Sequence, residues 1–405
     1  MKQYDVLIIG GGMTGASMAL MLSGHGLSIA VCEASQSHHK NSQYDQRAIV
    51  LSYSSRQIFE AMGVWEKLLP LSQPITNIHV SDKGRFGFTR LSAKQSKVDA
   101  MGYVCSAGEI GEVLSDQLKE QSDIDYLCAV NVERVESVGN EVVVYQSDDV
   151  NEKFSAQLVI AADGKSSKIR QQLKIPVSHW KYQQIAFVTF ITPEIDHQGV
   201  AYERFTEKGP VALLPMKDGQ YAVVWTVNED EAESIKQLSD EHFIETLQKR
   251  FGRRVGKFHS LRNRLSYPLD FIYAEQLIKQ RVALIGNAAH AFHPIAGQGF
   301  NLGLRDVVVL AEQIIQANNA SEDIGAESIL KNYESLRKSD HQKTLLMTEG
   351  FVRIFNNPLF LIGAIRNIGM SCLDLFPSLK QQFIDRSMGV SGSQSKILAG
   401  LSVRD

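Results

Sequence analysis

The first 33 residues contain the pattern that most constrains the fold. Residues 4–9 (YDVLII) are apolar on both faces, which is typical of a parallel strand that helices cover on both sides. The strand leads into the loop Gly10-Gly11-Gly12-Met13-Thr14-Gly15, and an Ala-, Met- and Leu-rich helix follows over 16–23. A second strand over 28–32 ends at Glu33. This spacing predicts a Rossmann-type strand–helix–strand unit that binds the ADP half of a dinucleotide.

The glycines of this loop have distinct expected roles. We expect Gly10 to permit the tight turn, Gly12 to let the backbone approach a pyrophosphate, and Gly15 to let the helix and the strand pack closely. The helix N-terminus offers N–H groups to the phosphate charge, and Glu33 should accept hydrogen bonds from the adenosine ribose hydroxyls. A strand-to-helix turn without a ligand is the alternative. The loop does not distinguish FAD from NAD, because both contain the same ADP half.

Composition and charge exclude several classes of protein. A chain of 405 residues with 44% hydrophobic residues is long enough for two domains. A formal net charge of −3 provides no global basic field, so we expect no nucleic acid partner. The four cysteines lack the spacing of a zinc site or a disulfide framework. With no signal-peptide pattern and no run of about 18 apolar residues, the expected location is the cytoplasm.

The later sequence repeats the pattern of an apolar strand followed by a small or polar turn, at 156–164 and at 281–287. Short strand-like runs separated by Gly, Pro and Asp lie between these segments, at 184–192, 199–205, 211–215 and 220–227. From Phe300 to Phe355 the apolar residues recur at a helical period. The sequence therefore predicts an α/β fold with a discontinuous Rossmann-like domain, an inserted mixed or antiparallel sheet, and C-terminal helices.

Three further strings carry a resemblance to a known family. They are DQRAIVLS at 45–52, DGKSSKIR at 163–170 and GNAAHAFHPIAGQGFNLG at 286–303. With the glycine loop, they resemble the signatures of class A flavoprotein aromatic hydroxylases over nearly the whole chain. Within that family the chain is most similar to the ubiquinone-biosynthesis group. Other members of the group typically have Asp where this chain has Asn287, and Asn-Pro in place of His293-Pro294.

The patterns and the resemblance together divide the chain into domains. An FAD-binding domain is expected at 1–75, 98–178 and 277–345, a substrate domain at 76–97 and 179–276, a C-terminal helical segment at 346–388, and a flexible tail at 389–405.

The resemblance also assigns residues to the cofactor. Arg47 is implied to reach it, and the Asp163-Gly164 turn is implied to lie near the pyrophosphate and to bear on the use of a nicotinamide nucleotide. Asn287 is implied to bind the ribityl chain of FAD, since Asn keeps an acceptor oxygen. The loop wall facing the flavin is expected to contain Gly286, His293, Pro294, Gly297, Gln298 and Gly299.

Simpler alternatives exist for several of these residues. Arg47 could be a surface charge, and Asp163 could cap a helix while Gly164 supplies a turn. Gly297 and Gly299 are expected to let backbone N–H groups approach the flavin. A helix N-terminus there would favour the negative charge of the reduced ring. The alternative is a loop that only shapes a turn. The stretch 106–112 has no basic residue where many relatives place one near the flavin.

No metal site is expected. His290 and His293 are three residues apart, but no third ligand has suitable spacing nearby, so we interpret His293 as part of the loop wall. The expected cofactor is noncovalent FAD. Only one dinucleotide fingerprint is present, so NADPH or NADH would bind at a transient site as a co-substrate.

The resemblance implies an FAD-dependent monooxygenase that hydroxylates the ring of a polyprenylated phenol in ubiquinone biosynthesis. It would use NAD(P)H and O₂ through a flavin hydroperoxide. A hydroxylase of soluble aromatics and a non-catalytic flavin-bound subunit of a biosynthetic assembly are the alternatives. The implied partners are the prenylated phenol, other ubiquinone-biosynthesis proteins and the inner face of the membrane as a peripheral contact. No catalytic residue is assigned.

The segment from Phe351 to Phe376 is rich in apolar residues but is interrupted by Arg353, Arg366 and Asp374. Because of these charges it is not expected to span a bilayer. Two interpretations are left open: a helix packed on the protein's own core, or a surface at a membrane interface or against a partner.

Overall fold

The computed structural model describes residues 1–35, 45, 47–147, 153–292, 297–355 and 376–389. The strands are β1 (Lys2–Ile9), β2 (Ile29–Glu33), β3 (Ala48–Ser52), β4 (Gln73–Ile75), β5 (Asn77–Asp82), β6 (Phe88–Ser92), β7 (Gly102–Ser106), β8 (Ile124–Cys128), β9 (Val132–Val138), β10 (Glu141–Gln146), β11 (Lys153–Ala161), β12 (Val177–Pro193), β13 (Val200–Phe205), β14 (Val211–Pro215), β15 (Tyr221–Asn228), β16 (Phe258–Ala274), β17 (Ile278–Lys279), β18 (Val282–Leu284) and β19 (His290–Ala291).

The α-helices are α1 (Met13–Leu22), α2 (Tyr53–Ala61), α3 (Trp65–Leu68), α4 (Ala107–Glu120), α5 (Lys168–Gln172), α6 (Glu229–Lys236), α7 (Asp240–Phe251), α8 (Gln298–Asn319), α9 (Glu327–Phe355) and α10 (Pro377–Ser387). Short 3₁₀ turns lie at Leu69–Leu71, Lys217–Gly219 and Gly286–Ala288.

The first large sheet has the strand order β17-β18-β11-β1-β2-β8, and β10 and β9 extend it beside β11. Its neighbours from β18 to β8 are parallel. Ile9 pairs with both Cys32 and Ala161, and Ala161 pairs with Leu284. The carboxyl ends of four adjacent strands therefore lie at one edge of the sheet, which is where ligands bind in folds of this type.

The second large sheet has the order β19-β16-β12-β15-β14-β13-β5-β6. Its neighbouring strands are antiparallel except for the parallel pair of β13 and β5. The predicted mixed sheet inserted into a Rossmann-like domain is thus confirmed. Strand β16 has 17 residues and was not predicted, because many of its side chains are exposed and give no clear alternation. The predicted domain boundaries stay a prediction.

The two faces of the second sheet differ in cover. One face packs under α6 and α7, and most of its apolar side chains are buried; Tyr221 and Trp225 of this face are buried together with Phe243 of α7. The other face meets a three-stranded sheet of order β3-β7-β4, where Ile75 and Val104 pack against Ala201 of β13. The small sheet therefore packs on this face of the second sheet.

The C-terminal part of the described chain is helical, as predicted. In α10, Ile384 and Met388 just after it are buried against Leu91 and Met101. Residues 356–375 lie outside the described residues, so both interpretations of the segment from Phe351 to Phe376 stay predictions. None of the described helices is long and apolar enough to cross a membrane.

Candidate functional site

Four turns meet at the carboxyl edge of the first sheet. The backbone N–H of Gly10 donates to the carbonyl of Cys32 at 2.9 Å, and that of Ala162 donates to Ile9 at 2.8 Å. The N–H of Ile285 donates to the carbonyl of Ala161 at 3.1 Å. These bonds bring the glycine loop, Glu33, the Asp163 turn and the Gly286 turn side by side.

The three glycines of the first loop are required for different reasons. A Cβ on Gly10, whose φ is +102°, would lie 2.5 Å from the carbonyl oxygen of Ala162, and a Cβ on Gly15 would lie 1.9 Å from that of Gly10. A Cβ on Gly12 would meet no protein atom within 4 Å. Packing of the chain therefore requires Gly10 and Gly15, whereas Gly12 leaves free space at the N-terminus of α1.

Glu33 holds the glycine loop against the end of β2. Its Oε2 accepts a hydrogen bond from the backbone N–H of Gly11 at 2.8 Å, and its Oε1 accepts one from the N–H of Ser35 at 2.9 Å. The carboxylate thus sits beside the loop where the ribose of an ADP group would lie, and its contact with that ribose stays a prediction.

Asp163 has one oxygen in a helix cap and one without a partner. Its Oδ2 accepts a hydrogen bond from the N–H of Ile169 in the first turn of α5 at 3.2 Å. Its Oδ1 is buried and has no hydrogen-bond partner among the described residues. Gly164 has a φ of +83°, as a turn glycine would. The cap accounts for one oxygen, and the other stays free for a ligand donor.

Arg170 links this turn to the next one and was missed by the sequence analysis. It is buried, and its Nη1 donates to the carbonyl of Ala288 at 2.7 Å while its Nη2 donates to that of Lys165 at 2.9 Å. The guanidinium therefore fixes the Asp163 turn against the 286–289 turn. Arg170 is the last residue of the DGKSSKIR string, but nothing in that string specifies which carbonyl groups its side chain meets.

Arg47 forms a bidentate pair with Asp45, with Nε–Oδ1 at 2.8 Å and Nη2–Oδ2 at 2.6 Å. The hydrogen bonds that Arg47 donates to Asp45 raise the pKa of Arg47, and Tyr267 of β16 acts in the same direction. The carbonyls of Arg47 and Asp45 accept the N–H groups of Ala107 and Gly108 at the start of α4. The side chain is about half exposed, so this pair leaves room for a ligand but does not require one.

The turn after β18 is fitted against α1. A Cβ on Gly286 would lie 2.9 Å from Cγ2 of Thr14, and a Cβ on Gly303 would lie 3.5 Å from its Oγ1. Asn287 is exposed although the residues on both sides of it are buried. This exposure suits a ligand contact.

The predicted loop wall is described in part. His293 and Pro294 lie outside the described residues, and so does the side chain of Gln298. Gly297 is the N-cap of α8 with a φ of +61°, and a Cβ there would lie 2.9 Å from Cβ of Val50. A Cβ on Gly299 would meet no protein atom within 4 Å. Gly297 is thus required by the chain itself, and Gly299 leaves free space at the N-terminus of α8.

Asn301 joins this loop to β3. Its Oδ1 accepts from the N–H of Ser52 at 2.9 Å and from the hydroxyl of Ser55 at 2.6 Å. Its Nδ2 donates to the carbonyls of Val50 at 2.8 Å and Gly297 at 2.7 Å. The buried amide therefore uses both its oxygen and its nitrogen to hold the two segments together.

Asp306 of α8 is a buried hub that the sequence analysis also missed. Its Oδ2 accepts from the N–H of Gly286 at 3.0 Å and bonds to Nε2 of His290 at 2.7 Å. Its Oδ1 accepts from Nε of Arg337 at 2.8 Å and bonds to Nε2 of His341 at 2.7 Å. Burial opposes ionisation, but His341, His290 and Arg337 outweigh it and hold the pKa of Asp306 well below its usual range.

The same cluster has the spacing of a metal site, since the ligand atoms of His290, Asp306 and His341 lie within 4.8 Å of one another. However, the guanidinium of Arg337 already occupies one carboxylate oxygen and adds a positive charge beside it. Such a charge opposes the binding of a cation. We therefore interpret the cluster as a hydrogen-bonded support for the Gly286 turn. An acid within the apolar run of α8 was the only sequence signal for it.

A flavin dinucleotide needs open space where the backbone approaches it, and Gly12 and Gly299 provide such space. Both positions lie at the N-termini of long helices, and Thr14 of α1 packs close to Gly303 of α8. Two adjacent helix N-termini offer unpaired N–H groups to two electron-rich regions of one elongated ligand. A pyrophosphate at α1 and a flavin ring at α8 fit this arrangement.

Comparison with known proteins decides the family. A family profile described as FAD binding domain matches residues 3–347. The chain belongs to this family. It is 32% identical to the ubiquinone hydroxylase UbiL of Rhodospirillum rubrum over 389 residues, which cover 96% of the chain and 90% of the relative. It is 28% identical to the 3-demethoxyubiquinol 3-hydroxylase of Escherichia coli, with 95% of the chain and 98% of that protein covered.

A solved structure agrees with the fold. The p-nitrophenol 4-monooxygenase PnpA of Pseudomonas putida superposes with a TM-score of 0.78 at 17% identity, over 96% of the chain and 99% of that structure. The family profile and the curated relatives confirm the resemblance to class A flavoprotein hydroxylases. The chain is an FAD-dependent monooxygenase with FAD as its cofactor and NAD(P)H as the co-substrate typical of the family.

Proposed function

We propose that this enzyme hydroxylates the aromatic ring of a polyprenylated phenol in ubiquinone biosynthesis. The names of the two curated relatives, a ubiquinone hydroxylase and a demethoxyubiquinol hydroxylase, support this assignment. Within the group, the string at 293–303 and Asn287 resemble 2-octaprenyl-6-methoxyphenol hydroxylase most. When bound, the flavin supplies the redox chemistry, with electrons from NADPH or NADH and oxygen transfer from O₂ through a flavin hydroperoxide.

The proposed cofactor residues divide by the part of FAD that they hold. Gly10, Gly12 and Gly15 would hold the pyrophosphate, Glu33 the ribose, and Arg47 and the Asp163-Gly164 turn the adjoining groups. The flavin and its ribityl chain would lie against the loop with Gly286, Asn287, His293, Pro294, Gly297, Gln298 and Gly299. The free Oδ1 of Asp163 and the free space at Gly12 and Gly299 support this division.

The observation that carries the substrate assignment is the incomplete cover of the second sheet. On the face that meets the small sheet, Val188, Phe190, Leu214 and Val224 are only partly buried, and Leu265 is 39% exposed. On the opposite face most of the apolar side chains are buried under helices. Val50 connects the open face to Gly297 of the proposed flavin loop. It packs in the same cluster as Ala201 of that face, and it also lies against Gly297. An apolar wall beside the flavin suits a ring with a long hydrocarbon tail.

Glu203 lies within this apolar wall. Side chains alternate along β13, so Glu203 points to the same side as Ala201 two residues earlier. It pairs in register with Val80 and Ala212, and its carboxylate has no hydrogen bond or ion pair within the part of the chain that the structure describes. Burial raises the pKa of Glu203 to about 7. A carboxylate in this setting can accept a hydrogen bond from a phenolic hydroxyl and make the ring richer in electrons.

The chain would also contribute to the reaction by positioning the substrate ring and by excluding water. The hubs at Asn301 and Asp306 hold β3, the Gly286 turn and α8 in fixed relation, so that a ring on the apolar wall would face the flavin. The apolar side chains would keep water from the reacting centre. NAD(P)H would bind transiently, since the one dinucleotide unit is used by FAD.

Two measurements test the proposed function. Lipid extracts of cells lacking the protein should accumulate one prenylated phenol, and the purified FAD-loaded enzyme should convert that phenol to a product with one additional oxygen atom in the presence of NADPH or NADH. Incorporation of label from ¹⁸O₂ establishes the oxygen source. A normal quinone content in these cells, together with oxidation of a water-soluble phenol, would instead identify a hydroxylase of soluble aromatics.

A further inference from the structure

The hairpin between β5 and β6 carries two exposed aromatic side chains at the edge of the second sheet. Ser81 pairs with Phe88, and the N–H of Arg85 donates to the carbonyl of Asp82 within the turn. Phe86 is 100% exposed at the tip and Phe88 is 42% exposed. These backbone bonds hold the hairpin in shape. The fully exposed side chain of Phe86 is therefore not needed to fold it.

Three arginines surround a cavity of about 220 Å³ directly behind this tip. Arg85 comes from the turn, Arg204 from β13 and Arg254 from the loop after α7, and Asp82, Phe86 and Phe88 also line the cavity. The three cations come from three different parts of the chain. Their convergence on one cavity is therefore a product of the fold rather than of a local run of basic residues.

The positive charge of this cluster is poorly compensated. Asp82 lies 3.8 Å from Arg85, but no carboxylate of the described residues lies within 4.0 Å of the guanidinium of Arg204 or Arg254. The Nε of Arg204 is buried and has no hydrogen-bond partner in the described part of the chain. Other partly buried arginines are paired, for example Arg281 with Asp323.

The charge of this cluster shifts the pKa of two groups, Arg204 and His79. Burial and the charge of Arg254 lower the pKa of Arg204, although Asp82 acts in the opposite direction. Burial, followed by the charges of Arg254 and Arg90, lowers the pKa of His79 to about 4. A positive field of this strength next to a concave surface attracts an anion with several acceptor oxygens, and guanidinium groups match phosphate in particular.

We infer that this surface, formed by Phe86, Phe88, Arg85, Arg204 and Arg254, docks the enzyme on a bilayer that contains anionic phospholipids. Arg85, Arg204 and Arg254 bind the lipid phosphates, and Phe86 enters the interfacial layer with Phe88 beside it. Aromatic side chains flanked by cations are suited to the headgroup region, where one side is apolar and the other wet. The inference concerns the place of binding and does not depend on which ring the enzyme hydroxylates.

Vesicle co-sedimentation of the FAD-loaded full-length protein tests this inference. Vesicles of phosphatidylcholine with phosphatidylglycerol should bind the protein, and vesicles of phosphatidylcholine alone should bind it weakly. The double variant R85Q/R254Q should lose about fivefold in partitioning for each arginine removed, and binding should weaken with added salt. F86S should lose on the order of tenfold.

Matched controls separate docking from general effects. V138S removes a 56% exposed apolar residue at another hairpin, between β9 and β10, and the double variant R134Q/K331Q removes two exposed cations elsewhere. Both should partition like the unchanged protein. Flavin absorbance and circular dichroism show that every variant is folded and loaded.

Four outcomes would overturn the inference. The first is equal partitioning of the site variants and the unchanged protein. The second is equal binding to both kinds of vesicle. The third is saturable binding of inorganic phosphate by calorimetry, lost in R85Q/R254Q, without any binding to vesicles; this result would assign the cavity to a soluble phosphate ligand. Recruitment by an acidic partner protein in place of vesicles would contradict it equally.

Discussion

The amide of Asn301 donates a hydrogen bond at 2.8 Å to the carbonyl of Val50, 251 residues earlier in the chain. Val50 in turn lies against Gly297 and in the same apolar cluster as Ala201 of the second sheet. One buried side chain therefore ties together the flavin loop, the small sheet and the proposed substrate wall. Because the amide satisfies donors and acceptors on both segments, a change at Asn301 would disturb the spacing between cofactor and substrate rather than either site alone.

The free space at Gly12 leads to the first prediction. Replacing Gly12 by Val puts a branched side chain where the pyrophosphate would approach, but meets no protein atom within 4 Å at the Cβ position. The variant should fold and be purified without FAD, as shown by loss of flavin absorbance with an unchanged circular dichroism spectrum. Gly350→Val, at a helical position that is also open, should keep its flavin. Full FAD occupancy in Gly12→Val would refute the role of the loop.

Sequence patterns predicted the elements whose signal is local. The strand ends at Ile9, Cys32, Ala161 and Leu284 are each followed by a small or polar turn, and a parallel sheet brings these turns together. Strand periodicity and turn chemistry are both readable within about ten residues. The fold class could therefore be predicted, and so could the meeting of these turns at one edge of the sheet.

Long-range supports could not be predicted in the same way. Arg170, Asn301 and Asp306 each bind at least one distant partner: Ala288 is 118 residues from Arg170, Val50 is 251 from Asn301, and His290 is 16 from Asp306. No local pattern specifies which of these groups they meet. The small sheet was not predicted, because its three short strands come from segments that are separated in the chain and pair only in the packed fold. Such features depend on the packed fold and become visible only when the segments are placed together.

Asn287 departs from the family pattern and gives the second prediction. Asn287→Asp should keep FAD and at least part of the activity, because both side chains offer an acceptor oxygen and the position is exposed. Flavin content and the rate of NAD(P)H oxidation measure the two effects. A folded apoprotein from this change would show that the local field does not tolerate the added negative charge.

The Asp306 hub gives a prediction on stability. Asp306→Asn removes the charge that Arg337 and two histidines share in a fully buried site. Loss of one partner of such a buried pair costs about 3–5 kcal/mol of unfolding free energy. Urea denaturation of the FAD-loaded protein measures it, with Asp116→Asn at an exposed ion pair as the control. A loss as small as that of the control would mean that the hub contributes little.

His341 predicts how this stability depends on pH. Burial lowers the pKa of His341 to about 4, whereas an unfolded histidine titrates at about 6.5. Because the pKa is depressed in the folded state, the stabilising contribution is complete above about pH 6.5 and is lost as the pH falls toward about 4. The melting temperature of the unchanged protein should fall more steeply across this window than that of His341→Asn. Parallel curves would contradict the prediction, and His242→Asn, at an exposed histidine, serves as the control.

The raised pKa of Glu203 gives a prediction on catalysis. If the carboxylate accepts the phenolic hydrogen bond, the ionised form is the active one, and burial raises its pKa to about 7. The groups that share this face or lie opposite it in the described structure are Asp82 of β5, Tyr267 of β16 and the Asp45–Arg47 pair. None of them contributes to the shift, which burial alone produces.

The value of kcat/KM for the phenol should therefore fall as the pH drops below about 7. Glu203→Gln keeps the shape and an acceptor oxygen but removes the charge, so kcat/KM should drop by about 10²–10⁴-fold and lose this limb of the pH profile. Flavin content should not change, because Glu203 lies on the substrate sheet. Glu207→Gln, four residues further along and exposed, should retain the full profile. A Glu203→Gln enzyme with the unchanged pH profile would exclude the carboxylate from the reaction and leave it a structural part of the wall.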